Sequence, residues 1–129
     1  MKTSIFFFLL LMIVVGCRDE YNAKQLTDLS ENEFLIIPSQ PKVSDQVCMV
    51  SSGCSYNVLS SVNVSNQNIL VKKRFNSQMK WPCVLKYDTI SLGQLNKGTY
   101  EVTLQIIDIN PFVTDSIASE EKQTIKVSG

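Results

Sequence analysis

The sequence of 129 residues contains no histidine. Histidine is the commonest general base, the usual partner of a serine or cysteine nucleophile and a frequent zinc ligand, so its absence removes most catalytic and zinc-binding arrangements at once. The cysteines form no CxxC pair and no glycine-rich phosphate loop occurs, so a metal site is not expected. A cysteine nucleophile without a neighbouring base would be weak. The sequence therefore predicts a protein that is not an enzyme and holds no cofactor.

An excess of charge of either sign is also lacking, because 12 basic residues balance 12 acidic ones. Such a balance argues against nucleic acid as a partner. The main basic run is Lys72-Lys73-Arg74, but no row of aromatic residues interleaves it, as base stacking would require. We interpret the run as a solvated strand edge that is protected by charge.

Helical periodicity is missing from residues 34–129, where short segments alternate between apolar and polar side chains instead. The clearest alternation places Tyr100, Val102, Leu104 and Ile106 on one face of a strand. A further strand holds Val58, Val62 and Val64, and it is followed by the turn residues Ser65-Asn66-Gln67-Asn68, which is typical of a hairpin. Residues 115–121 are predicted to form an acidic loop. About seven such segments predict an all-β fold, a single antiparallel β-sandwich over residues 34–129.

One long apolar run is present, and it lies at the amino terminus, from Ile5 to Val15 after Lys2. Eleven residues are too few to cross a bilayer, which takes about 20 in a helix, but they suit the apolar region of a secretory signal. The run ends in Val14-Val15-Gly16-Cys17, which resembles the lipobox of a bacterial lipoprotein. The resemblance implies that residues 1–16 are a signal peptide and that Cys17 carries the lipid that attaches the chain to the membrane. An ordinary signal peptide with a chance cysteine is the alternative.

The next residues, Arg18-Asp19-Glu20, resemble the export signal of surface lipoproteins of the Bacteroidota, although the basic residue stands one place earlier than is usual there. The resemblance implies an outer-membrane, lipid-anchored protein displayed at the cell surface. The polar composition of residues 17–33 predicts a flexible tether between the lipid and the sandwich.

If Cys17 carries a lipid, the three cysteines Cys48, Cys54 and Cys83 remain. An exported chain meets an oxidising compartment, so one disulfide and one leftover thiol are expected. We favour the pair Cys54–Cys83, which would tie together two segments far apart in the sequence. The pair Cys48–Cys54 would close only a short loop and stays open as the alternative.

A second resemblance concerns the run from Leu92 to Val102, in which Gly98-Thr99-Tyr100 follows a turn. It resembles the tyrosine corner of immunoglobulin-like and fibronectin type III-like sandwiches, and Pro38 to Val47 resembles the first two strands of bacterial immunoglobulin-like repeats. The resemblance implies that Gly98 and Tyr100 form a structural corner in which the Tyr100 hydroxyl bonds to upstream backbone. Antibody domains have a cysteine where Val102 stands, so the antibody core is not implied.

Two predicted loops carry aromatic side chains that are typical of binding sites, Trp81 beside Met79 and Lys80, and Phe112-Val113. Together these features predict a lipid-anchored protein of the cell envelope with a non-catalytic role in binding, adhesion or assistance to a complex, through an unknown protein or glycan partner. The alternative is a periplasmic structural or inhibitory module that acts on a protease or an assembly machinery.

Overall fold

Seven β-strands form the domain in a computed structural model that describes residues 28–110 and 114–129. The strands are β1 (Phe34–Ile37), β2 (Val47–Cys54), β3 (Val58–Ser65), β4 (Asn68–Phe75), β5 (Leu85–Gly93), β6 (Gly98–Asp108) and β7 (Ser116–Val127). A single turn of 3-10 helix, Ser77–Met79, follows β4. The prediction of an all-β sandwich of about seven strands is confirmed. No helix in the described part of the chain is long and apolar enough to cross a membrane.

The strands divide into a three-stranded sheet, in the order β1-β2-β5, and a four-stranded sheet, in the order β3-β4-β6-β7. All pairings are antiparallel except that of β4 with β6, which is parallel and differs from the fully antiparallel prediction. The reason is the path of the chain. It leaves β4, passes through β5 in the other sheet, and returns to lie beside β4 in the original direction.

The core lies between the two sheets. The predicted inner face of β6 is confirmed, since its four alternating side chains from Tyr100 to Ile106 are all buried. The other strands contribute buried residues to the same cluster: Phe34, Ile36, Val47, Met49, Ile69, Val71, Ile90, Leu92, Ile125 and Val127. Strand β3 contributes none, because all eight of its residues are exposed.

Strand β3 extends the four-stranded sheet beyond the cover of the other sheet. A bulge at Ser60 shifts its register, so that Leu59, Val62 and Val64 pair with the inward-facing residues of β4. These three side chains are nevertheless between 37% and 46% exposed. Val58, before the bulge, pairs with the exposed Arg74 and lies on the opposite, outer face. The result is an apolar strip on β3 that the sandwich leaves uncovered.

The segment before β1 is attached to the domain rather than free. The backbone N–H of Asn32 donates to the Ser52 oxygen at 2.9 Å, and the Ser52 N–H donates to the Glu33 oxygen at 3.0 Å. The hydroxyl of Ser52 also donates to the backbone oxygen of Ser30. Ordered backbone therefore begins a few residues before the predicted boundary at residue 34. The rest of the predicted tether, residues 17–27, lies outside the described residues.

The acidic segment 115–121 was predicted to be a loop, but most of it belongs to the edge strand β7. Glu120 accepts a hydrogen bond from Gln105 Nε2 at 2.8 Å, and Lys122 Nζ lies 3.6 Å from Glu101 and 3.5 Å from Glu120. The bond from Gln105, with the help of Lys122, lowers the pKa of Glu120, while Glu101 and Glu120 raise the pKa of Lys122. Strand β7 accommodates charged side chains because it is an edge strand that is open to water. Side chains on the neighbouring strand β6 also pair with them.

The corner at the start of β6 has the geometry that the resemblance implies. Gly98 lies at φ 153°, in a region that side chains rarely adopt, and begins the strand. The Tyr100 hydroxyl donates to the backbone oxygen of Asn96 at 2.9 Å, and its ring is buried in the core. The corner therefore fixes the turn before β6 to the interior.

Candidate functional site

A cavity of about 400 Å³ opens at the end of the four-stranded sheet where β3 begins and β4 ends. Its lining comes from the start of β3 and the turn before it, from the end of β4, from the 3-10 turn and the loop behind it, and from the residue that follows β6. The lining residues are Tyr56, Val58, Arg74, Phe75, Asn76, Ser77, Met79, Lys80, Trp81 and Ile109. The cavity brings together residues that are far apart in the sequence, as ligand pockets usually do.

The 3-10 turn holds one side of this cavity in place. Asn76 caps it, because its side-chain oxygen accepts from the Gln78 N–H at 3.0 Å. The Ser77 N–H donates to Asp108 Oδ1 at 3.1 Å, which ties the turn to the end of β6. The Ser77 side chain, followed by the backbone N–H groups of Ser77 and Asn110, lowers the pKa of the Asp108 carboxyl. Asp108 is therefore an acceptor that organises the turn.

The loop that carries Trp81 is held at its other end by a disulfide. Lys80 leaves the 3-10 turn in a left-handed conformation at φ 49°, and Cys83 then bonds to Cys54. The two Cα atoms are 4.8 Å apart, and the Ser55 N–H donates to the Val84 oxygen at 2.8 Å beside them. The predicted pair Cys54–Cys83 is confirmed, and it joins the ends of neighbouring strands within one sheet. Trp81 thus lies on a short segment that is anchored on both sides.

The prediction of a leftover thiol among the three remaining cysteines is wrong. Cys48 is buried in β2 and is itself disulfide-bonded, so the described cysteines include no free thiol. The ligand atoms of Glu31, Cys54 and Cys83 lie within 4.8 Å of one another, a spacing that suits a metal ion. The two sulfurs are bonded to each other, however, and a disulfide lacks the thiolates that a metal needs.

The surface of the cavity is mainly apolar. Val58, Met79 and Trp81 are between 53% and 64% exposed, and they come from two segments of the chain, the start of β3 and the turn and loop that follow β4. The rings of Tyr56 and Phe75 pack against each other with centroids 5.6 Å apart at a tilt of 38°. Exposed apolar side chains that converge on one concave surface are typical of a binding site.

Among the described residues of the lining, the charged ones are Arg74 and Lys80, and none is a carboxylate. Ser77 supplies a hydroxyl, which hydrogen-bonds to the Asp108 carboxylate just outside the lining. The chemistry of the cavity suits an aromatic or aliphatic group that carries a negative charge, held by apolar contact and by one or two basic side chains.

Of the two predicted binding loops, the structure places Trp81, Met79 and Lys80 in the cavity. The other, Phe112-Val113, lies outside the described residues, as do Cys17 and Arg18-Asp19-Glu20. Sequence reasoning did not identify Tyr56, Val58 and Phe75 as site residues. Val58 is an apolar residue beside a polar turn, and nothing in the neighbouring sequence indicates that it stays exposed.

The basic run was predicted to be a solvated strand edge, and this is wrong for Lys73. Strand β4 lies between β3 and β6, and the Lys73 side chain crosses the core to the other sheet. Its Nζ lies 2.7 Å from Ser51 Oγ and 2.9 Å from Asp88 Oδ2. Sequence reasoning missed this pair, since nothing near Lys73 in the chain indicates a partner on β5.

The carboxylate of Asp88 is stabilised in its charged form. Burial is the largest single influence and raises the pKa, but the hydrogen bond and charge of Lys73, together with Lys86 at 3.3 Å, outweigh it. The pKa of Asp88 therefore lies below its ordinary value. The pair links the two sheets across the core. It does not belong to the cavity, since neither Lys73 nor Asp88 lines it.

Comparison of the chain with known proteins found no matching family model, no matching curated protein and no matching solved structure.

Proposed function

We propose that this chain is a lipid-anchored, non-catalytic binding protein of the cell envelope. Its binding site in this proposal is the cavity lined by Trp81, Met79 and Val58 (the Trp81 cavity). The observation that carries the proposal is the convergence of Val58, Met79 and Trp81, all well exposed, on one cavity. The energetic cost of leaving such side chains in water is recovered when a ligand covers them. The absence of histidine from the sequence supports a role without catalysis.

The expected ligand carries an apolar group next to an anionic one, because Arg74 and Lys80 flank an apolar surface without an opposing carboxylate. A peptide with an apolar side chain beside its carboxylate fits this description, and so does an acidic glycan on which an aromatic side chain can stack. Each contact to a positive group would weaken at high salt.

Trp81 is the single tryptophan of the chain, so its emission reports directly on the cavity. The test is titration with anilinonaphthalene sulfonate, an aromatic anion, against the uncharged phenylnaphthylamine as matched probe. We expect energy transfer from Trp81 to the sulfonate, tighter binding of the sulfonate than of the neutral probe, and weaker binding as salt is added.

Variants assign the binding to the cavity. Trp81→Ala is expected to weaken binding of the sulfonate, monitored by the probe's own emission, at least tenfold. The control Tyr87→Ala removes an aromatic ring of β5 that is also exposed but does not line the cavity, and it is expected to bind normally. Equal losses in the two variants, or no loss in Trp81→Ala, would show that the cavity is not the site.

The anchor is proposed from the resemblance of Val14-Val15-Gly16-Cys17 to a lipobox. The mass of the mature chain tests this proposal. We expect the mass of a lipidated chain that begins at Cys17, and release of the protein from membranes in the variant Cys17→Ser. If Cys17→Ser stays attached to membranes, the anchor is refuted and the cavity remains to be judged by its own test.

A further inference from the structure

Within residues 28–110 and 114–129, the two sheets of the sandwich have four edge strands, and three of them carry features that block pairing with another strand. Strand β1 has 4 residues and is followed at once by Pro38. Strand β5 carries the ion pair of Lys86 and Asp88, and β7 carries the charged ladder around Glu120 and Lys122. Short length, proline and charge are the usual means by which proteins prevent edge-to-edge association.

The fourth edge, β3, has none of these features. Its sequence from Val58 to Ser65 contains no charged residue and no proline, and all eight residues are exposed. Its bulge lies at Ser60, near the start, so that residues 61–65 keep a regular register with β4. Within this regular part, Val62 and Val64 lie on the face that the opposite sheet leaves uncovered.

We propose that β3 pairs in antiparallel fashion with β3 of a second copy of this chain, about a two-fold axis that passes through Asn63. In this register Val62 lies opposite Val64 of the second copy, and Ser61 lies opposite Ser65. Asn63 lies opposite its own symmetry mate. Two four-stranded sheets then become one continuous sheet across the dimer.

The register is self-complementary in chemistry as well as in geometry. It places valine against valine on the inner face and small hydrogen-bonding side chains against each other on the outer face, which are favourable cross-strand pairs. No like charges are opposed, because the strand contains none. An axis normal to the sheet keeps both three-stranded sheets on the same side, so the two apolar strips meet and cover one another.

The proposed interface is separate from the Trp81 cavity. Val58, the residue of β3 that lines the cavity, precedes the bulge and lies outside the paired residues 61–65. A dimer would therefore carry two accessible cavities, and the inference stands whether or not the cavity binds the expected ligand.

Cross-linking of the full chain tests the geometry. In Asn63→Cys the two new thiols face each other across the axis, whereas in the control Thr124→Cys the thiol lies on the opposite edge of the same sheet, at another exposed position. Relative to the unsubstituted chain, mild oxidation is expected to give a covalent dimer with Asn63→Cys and none with Thr124→Cys. Failure of Asn63→Cys to cross-link, or equal cross-linking by both variants, would overturn the proposal.

Sedimentation equilibrium of the purified chain tests the energetics. Asn63→Lys brings two positive charges together at the axis, and its dimer dissociation constant is expected to rise at least tenfold, while Thr124→Lys leaves the constant unchanged. A chain that stays monomeric at all concentrations would refute self-pairing and leave β3 as an edge for a strand of another protein. If the chain dimerises but Asn63→Lys does not weaken the dimer, the interface lies elsewhere and self-pairing of β3 is refuted as well. Far-ultraviolet circular dichroism checks that each variant is folded.

Discussion

The ion pair between Lys73 and Asp88 is expected to respond very differently to the loss of either partner. The Lys73 side chain is only 2% exposed, whereas that of Asp88 is 28% exposed. Asp88 can therefore turn to water and to Lys86 if Lys73 is removed. If Asp88 is neutralised, Lys73 keeps neutral hydrogen-bond acceptors such as the Ser51 hydroxyl but loses the carboxylate that forms its ion pair.

The magnitudes follow from this difference in burial. Asp88→Asn leaves an ammonium group in the core without a counter-ion, and it is expected to cost about 3 kcal/mol of unfolding free energy. This is the lower end of the usual range, because water reaches the partly exposed site. Lys73→Met keeps the volume of the side chain and removes its charge, so the loss is about 1 kcal/mol, mainly from the unsatisfied Ser51 hydroxyl. The double variant Lys73→Met/Asp88→Asn is expected to have about the same unfolding free energy as Lys73→Met, since neither protein contains the buried ammonium group.

Urea unfolding at neutral pH, followed by circular dichroism and by the emission of Trp81, measures these differences. Equal destabilisation of Lys73→Met and Asp88→Asn, or two losses that simply add in the double variant, would show that a buried unpaired charge is not the cause.

The pH dependence of stability supplies a second check on the same pair. The pKa of Asp88 is lower in the folded chain than its ordinary value of 3.8. The stabilisation is therefore complete above that ordinary value and is lost as the pH falls through the folded pKa. The difference in stability between the unsubstituted chain and Asp88→Asn should accordingly shrink in acid. A difference that stays constant down to low pH would contradict the assignment.

Three further outcomes are expected. The double variant Cys54→Ser/Cys83→Ser should lose about 3.5 kcal/mol in urea unfolding, because the disulfide closes a loop with a sequence separation of 29; an unchanged midpoint would contradict this. Tyr100→Phe should lose about 1 kcal/mol, with a lower melting temperature, since the Asn96 carbonyl loses its hydroxyl donor; an unchanged melting temperature would mean that the corner bond contributes nothing. Protease added to intact cells should digest the protein if it is displayed at the surface, whereas protection would favour the periplasmic alternative.

The sequence correctly predicted features that depend on a single strand or on a short turn. The alternation from Tyr100 to Ile106 correctly identified the buried face of β6, because a strand with one wet face shows its period directly. The turn residues Asn66 and Gln67 correctly predicted the hairpin of β3 with β4, since Ser65 pairs with Asn68.

The sequence was less informative where pairing depends on distant parts of the chain. Nothing in β4 or β6 alone indicates that they lie side by side and parallel, because both strands read as ordinary alternating segments. The bulge at Ser60 was hidden by its neighbour Ser61, since either serine could be the extra residue. Of the cavity, Trp81 was recognised as a loop aromatic, but the concave shape arises only when the ends of three strands meet.

The parallel pairing of β4 with β6 has a consequence for the order in which the domain assembles. The hairpin of β3 and β4 closes through a two-residue turn and needs only local contacts, whereas Asn68 meets Glu101 only after β5 and the loop before it have been placed. During that interval β4 is itself an exposed edge. Charged residues on an exposed edge discourage pairing with foreign strands, and β4 carries three of them in a row, Lys72, Lys73 and Arg74. The run that supplies Lys73 to the ion pair between the sheets and Arg74 to the cavity is thus expected also to protect the nascent chain while it waits for β6.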